Sequence, residues 1–316
     1  MDEVIQLQPA PKYTYLYAVL AVLVLLIGGV YVYTSHLPGE NESLKNSFAQ
    51  VYLTPKNDGT VAWYEYNNGN LVQHPSPAQG RVTGIARANG STYFVLVPFT
   101  RKGSTIFRFS GGAYSTVFQN TTNALNQLSV SADGTLLAFI DASTTPKATV
   151  VDTTSGKVSA LVTSTILPQF LNVAGVQAVL YSSGTDLMLS VYANGDWQAP
   201  QVVYKGTGAT MSLFASNRGN LFAYVDPLTA AVHEMQASAL TPFAATEKAT
   251  YPSLVGYSIA YGGEHLFAYH YNLQTDMGQY LHLTVADSFG GDGKTYSFAA
   301  PATLEKSTAV FLLPSL

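Results

Sequence analysis

Along most of the chain, apolar residues fall in short runs that alternate with polar ones and are broken by Gly, Asn and Asp. The stretch LSVSADGTLLAFIDA, residues 128–142, is one such unit. Its period-two alternation around Asp133-Gly134 predicts a strand, a tight turn and a second strand. VTGIARANGSTYFVLV and MSLFASNRGNLFAYVD follow the same order, and VGYSIAYGGEHLFAYH and FLNVAGVQAVLYSS place a glycine at the same point. The turn glycines are Gly90, Gly134, Gly175, Gly219 and Gly263, with spacings of 44, 41, 44 and 44. A turn that needs positive φ explains why glycine recurs there. The regular period predicts a repeat architecture.

Each repeat holds a second hairpin, as in TIFRFSGGAYSTVFQ, ATVVDTTSGKVSALV and LMLSVYANGDWQAPQVV. Four short strands in about 43 residues is the size of one β-propeller blade. The unit, with its turn Ser131-Ala132-Asp133-Gly134, resembles the TolB-like and WD40-like propeller repeat families. The Trp-Asp dipeptide of strict WD40 repeats is absent, which favours the looser TolB-like class. Five full copies are expected between about residues 81 and 300. A sixth is expected from the two ends, ATLEKSTAVFLLPS supplying a first hairpin and TVAWYEYNNGNLVQHP a second, with TAVFLL against VAWYEY. Closure by the termini would leave no open sheet edge. The fold expected is therefore an all-β, six-bladed propeller over residues 51–316. A seventh blade begun by VYLTP is the alternative.

One segment breaks the pattern. YTYLYAVLAVLVLLIGGVYVY, residues 13–33, carries no charge and has tyrosines at both ends. As a helix it would cross about 30 Å, the thickness of a bilayer core, with its tyrosines in the headgroup layers. The apolar core is too long for a signal peptide, and no small-x-small cleavage site follows. The expected organisation is a tail at 1–12, a retained transmembrane helix at 13–35, a polar linker at 36–50 and the propeller. Lys12 abuts the span, whereas the nearest cation on the other side is Lys45. That asymmetry places the N-terminus in the cytoplasm and the propeller outside it. Sequons at Asn41, Asn89 and Asn120 are compatible with this topology.

Composition agrees with an extracytoplasmic protein. Charged residues make up 11% of the chain, against roughly 25% in soluble proteins. Polarity comes from hydroxyl and amide side chains, 21 tyrosines among them. A net charge of −4 offers no basic footprint for nucleic acid. With no cysteine, disulfides, thiolate chemistry and thiolate-bound metals are excluded.

Ligands of propellers sit at the central channel, so the innermost strands carry the candidates. The register assigns these strands to residues 82–87, 127–131, 169–173, 211–216, 255–260 and 302–306. The candidate channel-lining residues are Arg87, Gln127, Gln169, Ser212, Tyr257 and Glu305; Lys306 is the only other charged residue on these strands. Converging acids or histidines, which a metal-dependent hydrolase would need, are missing. His265 and His270 are five apart on one strand and face opposite sides. His233-Glu234 lacks the second histidine of the helical zinc motif, and GGDGKT lacks the upstream glycine of a phosphate loop. The Asp133 turn partly resembles the Asp-box of sialidases, with Leu136 where an aromatic belongs. No G-x-S-x-G elbow is present. Asp141, Asp152, Asp186 and Asp226 show no clustering by spacing. No catalytic residue, cofactor or metal is therefore assigned. The expected role is a protein- or glycan-binding scaffold in an envelope or surface assembly. The rivals are a propeller-type hydrolase or lactonase and a structural subunit of a membrane complex.

Overall fold

The computed structural model describes residues 48–67, 70–99, 102–206, 212–216, 219–251, 258–262, 265–272, 280–286, 294–299 and 309–314. The expected span at 13–33 lies outside them, as do Tyr257, Glu305 and Asn41. Among the described residues no helix is long and apolar enough to cross a membrane. The chain divides into two compact units, Met1–Lys45 and Asn46–Leu316, and only the second is described below.

Among the described residues of that unit every regular element is a β-strand. β1 (Phe48–Pro55), β2 (Val61–Asn67) and β3 (Asn70–His74) open it, β1 starting inside the segment expected as linker. Next come β4 (Arg81–Ala88), β5 (Ser91–Val97), β6 (Ser104–Ser110) and β7 (Ala113–Asn120), then β8 (Leu125–Val130), β9 (Leu136–Asp141), β10 (Lys147–Asp152) and β11 (Val158–Thr163). The chain continues through β12 (Gln169–Val173), β13 (Val176–Ser183), β14 (Asp186–Ala193), β15 (Asp196–Trp197) and β16 (Gln201–Tyr204). β17 (Ser212–Ala215), β18 (Leu221–Val225), β19 (Val232–Leu240) and β20 (Phe243–Tyr251) follow. The last strands are β21 (Ser258–Gly262), β22 (His265–Asn272), β23 (Tyr280–Ala286), β24 (Lys294–Ala299) and β25 (Ala309–Pro314).

Among the described residues these strands form six antiparallel sheets. Blades 2, 3, 5 and 6 are meanders running outward from β4, β8, β17 and β21. Blade 4 runs outward from β12, and its fourth position is split. β15 pairs with one end of β14 and β16 with the other. Pro200, which has no N–H to give the ladder, lies between them. Blade 1 has the order β25-β1-β2-β3. The inner strands pack in succession, β4 on β8, then β12, β17, β21 and β25, and β25 returns to β4. The ring is closed, and blade 1 is built from both ends of the unit.

Closure differs from the sequence expectation in one respect. β25 pairs with β1, Val310 opposite Tyr52 and Leu312 opposite Gln50. β1 in turn pairs with β2. VYLTP therefore fills the second position of blade 1 and β25 the innermost one; residues 302–306 lie outside the described residues. Among the described residues one strand from the C-terminal side and three from the N-terminal side make the blade, instead of two and two. The burial of β1 on both faces explains the choice. Val51 and Leu53 are both buried against blade 2 with Trp63 and Leu313, and an edge position would leave that apolar face half-covered.

The cores lie between blades, which explains the strand composition. On β9, Leu137 and Phe139 face blade 2, while Leu136 and Ala138 face Phe170, Val179 and Tyr181 of blade 4. Both faces are covered, so the strand reads LLAFI without alternation. The outer β7 and β20 are exposed or half-buried at every position but Tyr251. The turn at Asn89-Gly90 has φ of 47° and 67° at its two centres, the left-handed pair that a tight hairpin requires. Gly134 is also left-handed, and a Cβ there would fall 2.5 Å from Tyr93 Oη of blade 2. Gly219 has no positive φ, so its recurrence at that period has a different cause; Gly263 lies outside the described residues.

Candidate functional site

A cavity of about 400 Å³ occupies the centre of the ring. Its walls come from all six inner strands: residues 85–87 of β4, 127–130 of β8, 169–170 of β12, 212–215 of β17, 259–261 of β21, and Phe311 and Leu313 of β25. Residues 165–167, the connection into blade 4, complete the wall. Four expected lining residues, Arg87, Gln127, Gln169 and Ser212, are thus brought together. Tyr257 and Glu305 lie outside the described residues.

Arg87 reaches the cavity wall but serves the frame. Its side chain is 1% exposed and points across the seam to blade 1. Nη1 and Nη2 donate to Glu65 Oε1 and Oε2 at 3.0 and 2.9 Å, and Nε donates to Thr92 Oγ1 at 3.1 Å. This is the two-pronged guanidinium–carboxylate pairing that fixes orientation as well as charge. Burial alone would raise the Glu65 carboxyl, but His74 and Arg87 beside it outweigh that and hold it at about 2. His74 Nε2 stands 3.7 Å from Glu65 Oε2, and its ring stacks on Trp63 at 3.8 Å. Trp63 Nε1 donates to Tyr114 Oη of blade 2 at 2.6 Å. Glu65 and its neighbours were not foreseen. The available signal was a carboxylate within the otherwise apolar and aromatic strand VAWYEY.

The remaining polar groups of the wall divide in two. Ser129 Oγ donates to Pro168 O at 2.6 Å and belongs to the frame. Gln127, Thr165, Gln169 and Ser212 make no side-chain hydrogen bond among the described residues. Gln127 is held in an unusual way. Its φ is +59°, and it sits where the β8–β9 register shifts between Asn126 and Ser129. Such a bulge re-aims a side chain. β4 carries a matching shift between Val82 and Gly84. There the strands come so close that a Cβ on Gly84 would lie 2.6 Å from the Gln127 carbonyl carbon. Thr83 Oγ1 donates to Leu125 O at 2.7 Å across the same contact. Thr165 carried no sequence signal, because it lies on a connection.

Tyr261 adds an aromatic wall. Burial, with the Glu234 carboxylate nearby, pushes its hydroxyl well above 10.0, so it stays protonated. Glu234 itself is buried and accepts from Tyr251 Oη at 2.9 Å. None of Asp141, Asp152, Asp186 and Asp226 lines the cavity. Among the described residues no group of three or more His, Cys, Asp or Glu side chains could hold a metal ion. His233 lies on β19, its Nδ1 3.1 Å from Glu247 Oε1 and its ring stacked on Tyr224.

The Asp133 turn holds itself together. Oδ1 accepts from Ser131 Oγ at 2.7 Å and from Thr135 N at 3.0 Å, and Oδ2 accepts from Gln177 Nε2 of blade 4 at 2.5 Å. Its chemistry is that of an inter-blade tie. Of the sequon residues, Asn89 is exposed and donates through Nδ2 to Asp133 O at 3.2 Å. Asn120 ends β7, accepting from Thr122 N and Asn123 N at 2.9 and 3.0 Å.

No family model matches the chain, and no curated protein matches it. Solved structures do resemble it. A chain of a nidogen/laminin complex aligns with a TM-score of 0.51 at 10% identity, covering 85% of this chain and 98% of that one. TolB from Acinetobacter baumannii aligns with a TM-score of 0.51 at 12% identity, covering 79% of this chain and 66% of TolB, just under two-thirds of its length. At such identities the likeness is one of fold alone, and at that level it agrees with the TolB-like repeat read from the sequence.

Proposed function

We propose that the chain is a membrane-anchored propeller facing outside the cytoplasm, and that it acts as a protein- or glycan-binding scaffold of an envelope or surface assembly. The observation that supports binding most is the division of the cavity wall. Its described cation is consumed by Glu65, and what faces the space freely is amide and hydroxyl. Such groups hold a neutral ligand by hydrogen bonds and transfer no proton at neutral pH. A rigid ring that presents loops around a pocket suits recognition. The uncharged, tyrosine-flanked stretch at 13–33 supports the anchor.

Location and role are tested separately. A single cysteine in place of Ser43 should react with an impermeant maleimide in intact cells, and one in place of Gln6 only after lysis. The reverse pattern would contradict the orientation. For the role, crosslinking in intact native cells followed by isolation of the chain should give one recurrent partner attached through propeller residues. A chain that yields no heterologous product, and that turns over an ester or lactone reporter, would overturn the binding reading.

A further inference from the structure

We infer that the central cavity is a binding site for a neutral saccharide, one or two rings in size. The inference rests on the binding reading above and names the ligand class. Its volume of about 400 Å³ falls within the roughly 300–1,000 Å³ of small-molecule sites. Four polar side chains without described partners converge on it from three blades and one connection: Gln127, Thr165, Gln169 and Ser212. A primary amide sets a donor beside an acceptor, and two neighbouring sugar hydroxyls present the complementary pair. Phe214 and Tyr261 supply apolar wall for the C–H faces of a ring.

Charge argues against the other ligand classes. Among the described lining residues Arg87 alone is charged, and both of its terminal nitrogens are bound to Glu65. An anionic sugar, a phosphate or a peptide terminus would therefore enter without a counter-charge, which is costly away from water. The backbone at Gln127 is strained at the cavity wall. A left-handed non-glycine residue in a bulge costs free energy that the surrounding fold must meet, and here the close contact with Gly84 fixes the site of that strain.

The test uses the full chain in a non-glycosidic detergent, since maltoside and glucoside heads are themselves candidate ligands. Calorimetric titration would compare cellobiose, maltose and diacetylchitobiose with glucuronic acid, sialic acid and triglycine amide. The expected result is saturable binding of at least one neutral saccharide. Loss of one or two hydrogen bonds in Gln169→Ala should weaken it about tenfold. Gln127→Asn, which tolerates the left-handed backbone but shortens the reach, should weaken it similarly, and Gln119→Ala at an exposed position of the outer strand β7 should leave it unchanged. Equal melting temperatures would show that the variants fold. Absence of binding by all three neutral saccharides, binding that ignores both cavity variants, or binding of only the acids or the peptide amide would overturn the inference. A cavity that binds no sugar in a chain that still crosslinks to a partner would remove the ligand class and leave the scaffold reading standing.

Discussion

Two seams of the ring show different ways of joining blades. Between blades 3 and 4 the contact is apolar, with Leu136, Ala138 and Val150 against Phe170, Val179 and Tyr181. Most of its polar links are peripheral: Tyr192 Oη donates to Asp152 Oδ2 at 2.7 Å, Gln177 Nε2 to Asp133 Oδ2 at 2.5 Å, and Lys157 pairs with Asp196 at 2.7 Å between exposed side chains. Ser129 Oγ donates to Pro168 O in the interior, and no ion pair is buried there among the described residues. Between blades 1 and 2 an apolar cluster surrounds a buried ion pair, Arg87–Glu65, flanked by His74, Trp63 and Tyr114. Blade 2 follows β3 as directly as blade 4 follows blade 3, so connectivity between the paired blades does not set them apart. What differs is that blade 1 also holds β25 from the far end of the unit, whose Leu313 packs into the same seam cluster. An apolar seam alone tolerates sliding. A two-pronged ion pair gives that seam one geometry. Buried polar groups fix register in other systems at a cost in stability, and the same use here fits the place where register matters most.

The largest effect should come from the closing strand. Deleting residues 309–316 removes all of β25, with Phe311 and Leu313 from the seam and six ladder partners from β1. Each large apolar side chain that is buried contributes about 1.5–3 kcal/mol. With the lost ladder and an exposed edge on β1, the total approaches the about 5–15 kcal/mol of a whole domain. The truncated chain should aggregate or lose its cooperative melt. An unchanged melting temperature would show that the strand is dispensable.

Next in size is Arg87→Ala. It leaves the Glu65 carboxylate without its partner, which should cost about 3–5 kcal/mol by denaturant titration. Acid separates the two seams further. Glu65 is held below its ordinary 4.5, at about 2, in the folded state. Its contribution is therefore whole above pH 4.5 and is lost as pH falls from 4.5 towards 2. In Glu65→Gln this acid-dependent loss should shrink. Asp152 is also held at about 2: partial burial would raise it, but Tyr192, Ser155 and two backbone N–H groups outweigh this. Its exposed turn is screened by water, so its share of the acid loss is small. If the parent and Glu65→Gln lose equal stability between pH 5 and 3, the ion pair is not the clasp.

The smallest effect should be Tyr192→Phe, which removes one peripheral link of the apolar seam. A loss of about 0.5–1.5 kcal/mol is expected. A loss as large as that of Arg87→Ala would erase the contrast between the seams.

Much of the ring was legible in the sequence because the repeat is written in backbone requirements. Gly90 and Gly134 mark turns where a side chain is penalised, and strands such as LLAFI must be apolar on both faces. Those constraints are local and survive in a single sequence. Closure was only half legible. TAVFLL and VYLTP were both visible as strands, but their order within blade 1 depends on a pairing between residues more than 250 apart in the chain. No local pattern encodes that order. The site was legible as far as alternation reaches: Arg87, Gln127, Gln169 and Ser212 fall on inner strands. The role of Arg87 was not, because its partner Glu65 sits on a middle strand of the neighbouring blade. The left-handed Gln127 was equally hidden, since a bulge depends on how closely β4 and β8 approach.

The central claim is that β25 closes the ring as the innermost strand, beside β1. The chain has no cysteine, so one engineered pair reports on this without background. Gln50 and Leu312 are direct partners across the β1–β25 ladder. Opposite Cα atoms in such a ladder lie about 4.5–5.5 Å apart, within the span of a disulfide. In the full chain, Gln50→Cys with Leu312→Cys should oxidise to an intramolecular disulfide, closing a loop that is seen as a reducible mobility shift. Ala62→Cys with Leu312→Cys, which would bond if β25 lay directly against β2, should remain reduced. Oxidation of the second pair and not the first would place β25 against β2 and contradict the account.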